Sequence, residues 1–288
     1  MTNHVTLSNL KDDGLATPEV GSWVEEKYQL VSLYDSLFSR GMKNKWDCRV
    51  YIDLFAGAGR SKIRGTNRII AGSPFLALNV KDKFDKYIFC EEKGKLLNVL
   101  RQRVKAQYPE IDVVYIKGDC NTKVDDVLKE IPRHSPTRKV LSFCFIDPFT
   151  INVHFKTIKS LSQRFMDFLI VLAVGMDATR NEQSYSKPGN KHIDHYLGVS
   201  DWRTRWREAD ARGVTFRHFL AQEYANQMEK LGYKKVLLSK MKEVRSDENN
   251  LPLYHLAFFS KHELGYKFWG QILKYSTQQQ SFPGFEDV

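Results

Sequence analysis

Hydrophobic positions along this chain follow two alternating rhythms. Between Arg49 and Val174, short apolar runs bounded by turn residues alternate with stretches whose apolar residues return every three or four positions. The runs Arg49–Phe55, Asp85–Glu91, Asp112–Lys117, Lys139–Ile146 and Phe165–Val174 predict buried strands. The intervening spacing predicts helices over Lys93–Ala106, Val124–Ile131 and His154–Leu161. Another helix is predicted to open at Gly72-Ser73-Pro74, with Ser73 as N-cap and Pro74 in the first turn. Upstream, Trp23, Tyr28, Leu30, Val31, Tyr34, Leu37 and Phe38 share helical spacing from Ser22 until Gly41 stops them. Four or five β–α units in succession imply a parallel sheet with helices on both faces, an α/β fold.

The rhythm breaks after Gly175. Residues 177–230 are polar and aromatic without a strand signal, and read as a helical insert capping one side of the sheet. Lys234–Leu238 and Leu253–Phe259 then predict two strands separated by the polar turn 246–250, an antiparallel pair at the sheet edge. Phe268–Tyr275 predicts a short closing helix, followed by a polar tail. Residues 1–18, polar and ending at Pro18, read as a flexible arm before a single domain over 19–288.

Composition adds three constraints. A net charge of +10 on 288 residues favours an anionic partner, nucleic acid first. The four cysteines, Cys48, Cys90, Cys120 and Cys144, form no C-x-x-C pair and sit mostly in apolar runs, as buried thiols in a reducing compartment do. The chain opens without a basic segment followed by an apolar run. Its longest apolar stretch, Phe168–Val174, is too short to span a bilayer. Together these predict a cytoplasmic protein that does not engage a membrane.

Candidate chemistry lies where the predicted strands end. The first strand runs into Asp53-Leu-Phe55-Ala-Gly57-Ala-Gly59, where glycines let the backbone approach a ligand closely. The third glycine of a dinucleotide fingerprint is absent, and about a dozen residues separate this loop from the next helix start. Asp-x-Phe-x-Gly-x-Gly instead resembles the first motif of S-adenosylmethionine-dependent methyltransferases. That resemblance implies that Asp53 faces the methionine ammonium and that Phe55, Gly57 and Gly59 shape the cofactor site. Glu91 ends the next strand, where an acid accepts ribose hydroxyls. Asp119 follows the third strand, where methyltransferases contact the adenine amino group.

Asp147-Pro148-Phe149 ends the fourth strand. It resembles the Asp-Pro-Pro-aromatic motif of methyltransferases acting on amino or amide nitrogen. The implied role is that Asp147 accepts hydrogen bonds from the target NH₂ and aims its lone pair at the methyl group. The sequence departs from that pattern: Phe149 replaces the second proline and Thr150 the aromatic. Stacking on a base then falls to Phe149 or to another residue.

The combined set, Tyr51–Gly59 with Gly72-Ser-Pro-Phe-Leu-Ala77, resembles the three-Cys-motif partner proteins. Gly175-Met-Asp177 with Arg180-Asn181, Gly198 with Asp201-Trp202, and Tyr254–His262 extend the likeness over nearly the whole chain. This family is similar to class I methyltransferases, which implies a Rossmann-like sheet and S-adenosylmethionine as cofactor. Its name implies pairing with a radical-type protein that carries the cysteine motif.

Three functions are therefore expected to compete. The first is methyl transfer to an amino nitrogen, most plausibly of nucleic acid. The second is a catalytically silent partner of a radical-type protein, and the third a nucleic-acid-binding scaffold. Arg60, Lys62, Arg64 and Arg68 follow the glycines and read equally as a phosphate-tracking tract or a solvated loop. Trp202 and Trp206 read chiefly as helix packing, and His192-x-x-His195 as a helix face rather than a ligand pair.

Overall fold

The computed structural model describes residues 8–246 and 250–279. In chain order its strands are β1 (Ser8–Leu10), β2 (Glu19–Val20), β3 (Cys48–Asp53), β4 (Arg60–Ile63), β5 (Ile69–Ala71), β6 (Lys86–Glu91), β7 (Val113–Lys117), β8 (Val140–Ile146), β9 (Met166–Leu172), β10 (Lys242–Arg245) and β11 (Pro252–Phe259). The helices are α1 (Val24–Met42), α2 (Ser73–Leu78), α3 (Gly94–Gln107), α4 (Cys120–Glu130), α5 (Phe155–Leu161), α6 (Thr179–Tyr185), α7 (His192–Leu197), α8 (Trp202–Asp210), α9 (Phe216–Lys230) and α10 (Glu263–Gln279). A π-turn, Val174–Ala178, leads from β9 into α6.

Seven strands form the main sheet, in the order β10-β11-β9-β8-β3-β6-β7. The five β–α strands β9, β8, β3, β6 and β7 run parallel, and β11 pairs antiparallel to both β9 and β10. β3 and β8 are buried along their whole length, which explains why their sequences run apolar without alternation. One face of the sheet packs on α4, α5 and the insert helices α7–α9, with Trp202, Tyr224 and Phe259 fully buried. The other packs on α1, α2, α3 and α10 around Tyr34, Phe38 and Phe143.

The predicted strand at Lys234–Leu238 does not form. Lys234 N donates to Ser260 O, Tyr233 OH to Met166 O, and a 3-10 turn follows at Leu238–Lys240. The outer strand is Lys242–Arg245 instead, a charged sequence that only Val244 anchors in the core. Charge on an outermost strand discourages pairing with other chains, and it also removes the apolar pattern by which a strand is recognised. The turn assigned to 246–250 lies partly outside the described residues, as does the polar tail after 279. The closing helix, assigned to Phe268–Tyr275, begins at Glu263.

The segment after the glycines is a hairpin rather than a loop. β4 and β5 pair antiparallel within a second, four-stranded sheet of order β1-β5-β4-β2. That sheet also ties down the described part of the predicted arm: β1 pairs with β5, the Lys62 N–H donates to Pro18 O, and β2, just after the arm, pairs with β4. Arg103 of α3 is buried and binds Asp13, Leu15 O, Thr17 Oγ1 and Ala58 O together. Residues 13–17 are thus held by one guanidinium, and its hydrogen bonds, with the Leu15 N–H and the charges of Arg103 and Arg60, pull the Asp13 carboxyl down to about 2 against the effect of burial. Gly72, not Ser73, caps α2, and its N–H donates to Gly59 O across the base of the hairpin.

Candidate functional site

The carboxyl ends of the parallel strands open into one cavity of about 530 Å³. Its floor is the loop Leu54–Gly59 after β3. Glu91 to Lys93, Gly118 to Cys120, and Asp147 with Phe149 form its walls. Pro18, Val20, Val24, Lys27 and Tyr28 form a roof. Three of the residues singled out at separate strand ends, Glu91, Asp119 and Asp147, therefore face one space, while Asp53 is buried behind the floor loop.

Two glycines shape the floor for different reasons. Gly57 adopts φ +58°, and a Cβ there would meet nothing within 4 Å, so the backbone is bare toward the cavity. Gly59 adopts φ +76°, and a Cβ would come within 2.6 Å of Phe75 and 2.7 Å of Leu100. Gly57 thus preserves ligand space, and Gly59 preserves the packing of α2 and α3 behind the loop.

Asp53 is fully buried at the end of β3. Its Oδ1 accepts the Phe55 N–H at 3.0 Å, and its Oδ2 has no partner of good hydrogen-bond geometry. Burial pushes its pKa up to about 7, against the pull of the Ser73 hydroxyl and the Phe55 N–H, and the charges of Asp147 and Glu91 add to the rise. An acid held in this way gains most from a cationic ligand group.

Glu91 accepts the Gly57 N–H on Oε2 at 2.9 Å and the Lys93 N–H on Oε1 at 2.8 Å. In a dinucleotide site the glycine-loop N–H groups would point at a phosphate. Here the carboxylate occupies one of them and places negative charge beside the loop, which opposes a phosphate. Asp119 caps α4, accepting the Asn121 N–H at 2.9 Å, and lines the cavity at the same time.

Asp147 is not a free carboxylate. Lys27 of α1 donates to its Oδ2 at 2.5 Å, with both side chains largely buried. The ammonium also lies 5.1 Å from the Tyr28 ring and 5.5 Å from the Tyr254 ring. Sequence reasoning missed Lys27, although a signal existed. Lys27, Val31, Tyr34 and Phe38 fall on one helical face, so a lysine sits in an otherwise apolar stripe. Phe149, by contrast, is 83% exposed at the cavity mouth.

The basic tract divides. Arg60 lines the cavity but is mostly buried, binding Lys11 O at 3.0 Å and Asp13 Oδ2 at 3.1 Å. Arg68 pairs with Glu25 of α1. Lys62 is half-buried and Arg64 exposed on the β4–β5 hairpin. Arg60 and Arg68 thus also make contacts within the fold, Arg60 from a mostly buried position and Arg68 in a half-exposed pair. Trp202 and Trp206, on α8 of the insert, are buried. His195 stacks on His154 with ring centroids 4.8 Å apart, and His192 on Tyr185 at 4.7 Å. No helix among the described residues is long and apolar enough to cross a membrane.

Comparisons with known proteins show no family. No protein-family model matches the chain. No curated protein matches it either. Among solved structures the chain is similar to protein LPL1258 from Legionella pneumophila, at 15% identity and TM-score 0.40, covering 60% of this chain and 73% of that one. It is similar to Trm1 from Pyrococcus horikoshii in complex with S-adenosyl-L-methionine, at 10% identity and TM-score 0.43, covering 84% of this chain and 57% of that one. It is also similar to the magnesium protoporphyrin IX methyltransferase of Synechocystis PCC 6803 with bound SAH, at 11% identity and TM-score 0.40, covering 82% and 84% respectively. The sheet order and its antiparallel edge are those of a Rossmann-like methyltransferase fold, with the cavity at the strand ends.

Proposed function

We propose that this protein is an S-adenosylmethionine-dependent methyltransferase acting on an amino nitrogen, with nucleic acid as the acceptor class. The observation that carries the reading is the cavity at the strand ends, lined by Glu91, Glu92, Asp119 and Asp147, with Asp53 buried directly behind its floor loop at the end of β3. A ligand carrying both an ammonium and a sulfonium suits such a cavity, whereas a pyrophosphate does not. The chain's residues fit that cofactor. Asp53 would accept from the methionine ammonium, Gly57 leaves room along the chain of the ligand, Glu91 would accept ribose hydroxyls, and Asp119 lies where the base would rest.

When bound, the cofactor supplies an electrophilic methyl group on sulfur. Asp147 would hold the acceptor NH₂ so that its lone pair faces that methyl. Phe149, exposed at the mouth, is positioned to stack on a base turned out of its strand. Lys62 and Arg64 on the hairpin would meet backbone phosphates.

The second reading has a specific support. Lys27 already engages Asp147, so the acid that would hold the acceptor is occupied within the protein. That arrangement suits a binding role, as the partner of a three-Cys-motif radical-type protein, in which the cavity holds a ligand without turnover.

Calorimetric titration with S-adenosylmethionine tests the cofactor site, using wild type, Gly57→Val and Asp53→Asn. Binding in wild type that is lost in both variants supports the reading. A folded wild type that takes up no cofactor overturns it. Labelled methyl transfer to DNA and RNA then separates enzyme from silent partner.

A further inference from the structure

Away from the cavity, on the face of the sheet covered by α9, three side chains from three elements converge. Glu243 of β10 and His255 of β11 are directly paired across the antiparallel hairpin. His218 comes from the first turn of α9 above them. Glu243 Oε2 lies 3.6 Å from His255 Nε2 and 3.7 Å from His218 Nε2. One donor atom from each of the three residues falls within 4.8 Å of the others.

The hydrogen-bond network does not account for this arrangement. Both imidazole–carboxylate separations exceed hydrogen-bond length. His255 is 3% exposed, and its Nδ1 has no partner either. A buried ring that makes no good hydrogen bond needs another explanation, and an ion is one of the few available. The spacing itself supplies one. Ligand bonds of about 2.0–2.2 Å around tetrahedral zinc put neighbouring donors roughly 3.3–3.5 Å apart, within a few tenths of an ångström of the two imidazole–carboxylate separations, while the two imidazoles come within 4.8 Å of each other. Two imidazoles and one carboxylate also form a common three-residue zinc set, which leaves a fourth position for water.

The carboxylate is divided between two tasks. Arg245 binds Oε1, leaving Oε2 toward the two rings. Arg217 Nε lies 3.7 Å from Oε2 and is the group a cation must displace or share with.

We infer that His218, Glu243 and His255 form a binding site for a divalent transition-metal ion of the zinc class, one that clamps the insert helix α9 to the edge hairpin. The site is independent of the cofactor cavity, so its test is also independent. Untagged protein stripped with a chelator is titrated with Zn²⁺ against a chromophoric competitor, and in parallel with Co²⁺. The expected result is one equivalent bound by wild type, with visible cobalt bands of a four-coordinate nitrogen–oxygen site. His218→Ala and His255→Ala should each weaken binding at least about tenfold, the scale on which even outer-shell partners act. Zinc should raise the melting temperature of wild type and not of the His218→Ala variant, whose side chain is partly exposed and whose folding circular dichroism checks. No uptake by folded wild type, or equal uptake by wild type and the folded His218→Ala variant, overturns the assignment.

Discussion

Lys27 and Asp147 stand 120 residues apart in sequence, yet the lysine Nζ lies 2.5 Å from the aspartate Oδ2 at the mouth of the cavity. The contact joins the roof helix α1 to the end of β8. On the proposed reading the ammonium would compete with an acceptor amino group for Asp147, because a carboxylate already paired with an ammonium is a weaker acceptor.

Replacing either partner separates these roles. Lys27→Met leaves a largely buried carboxylate without its cation and should destabilise the protein by about 2–4 kcal/mol. Asp147→Asn keeps the shape, and should leave cofactor affinity within about twofold while lowering any methyl transfer by at least about tenfold. Chemical denaturation reads the first effect, and calorimetry with a labelled-methyl assay reads the second. Equal loss of binding and transfer in Asp147→Asn would show that the residue belongs to the cofactor site instead.

The raised pKa of Asp53 makes a stability prediction of definite sign. Burial lifts both Asp53 and Asp167 to about 7. Between the ordinary carboxyl range and that value, the native state binds more protons than the unfolded chain, so stability falls as pH rises toward 7. Asp53→Asn removes this penalty. It should raise the melting temperature at pH 8 by about 5 °C, less at pH 5.5, while abolishing cofactor binding. A variant less stable than wild type at pH 8 would contradict the assigned cost of burial.

The two glycines of the loop should respond differently to the same change. A Cβ at Gly57 meets no atom within 4 Å, so the main cost of Gly57→Val is the backbone strain at positive φ, about 1–2 kcal/mol, with cofactor affinity lost. Gly59→Val adds collisions with Phe75 and Leu100 and should cost a further 1–3 kcal/mol or so. Urea midpoints for the pair check the order.

Polyanion binding is tested on Lys62 and Arg64, not on Arg60. Arg60→Ala breaks contacts to Lys11 and Asp13 and should loosen the N-terminal segment, as should Arg103→Met. Faster proteolysis ahead of residue 18 would report that. Lys62→Gln with Arg64→Gln should reduce the salt slope of nucleic-acid binding by up to about 2, without altering proteolysis. An unchanged slope would remove the hairpin from the interface.

The sequence by itself determined the parallel sheet and the positions of Asp53, Glu91, Asp119 and Asp147. Fully buried strands must be continuous apolar runs, and ligand residues of an open α/β sheet collect where those runs end. Local patterning could not reveal the outer strand β10, because a charged edge carries no apolar signal. Nor could it reveal the β4–β5 hairpin or the capture of residues 8–18, whose partners lie far along the chain. Only the tertiary structure decided that Arg60 serves Asp13 rather than solvent, that Lys27 closes on Asp147, and that His218 meets Glu243 and His255. Each of these is a contact between side chains on separate elements, fixed by how helices pack on the sheet rather than by any spacing within one segment.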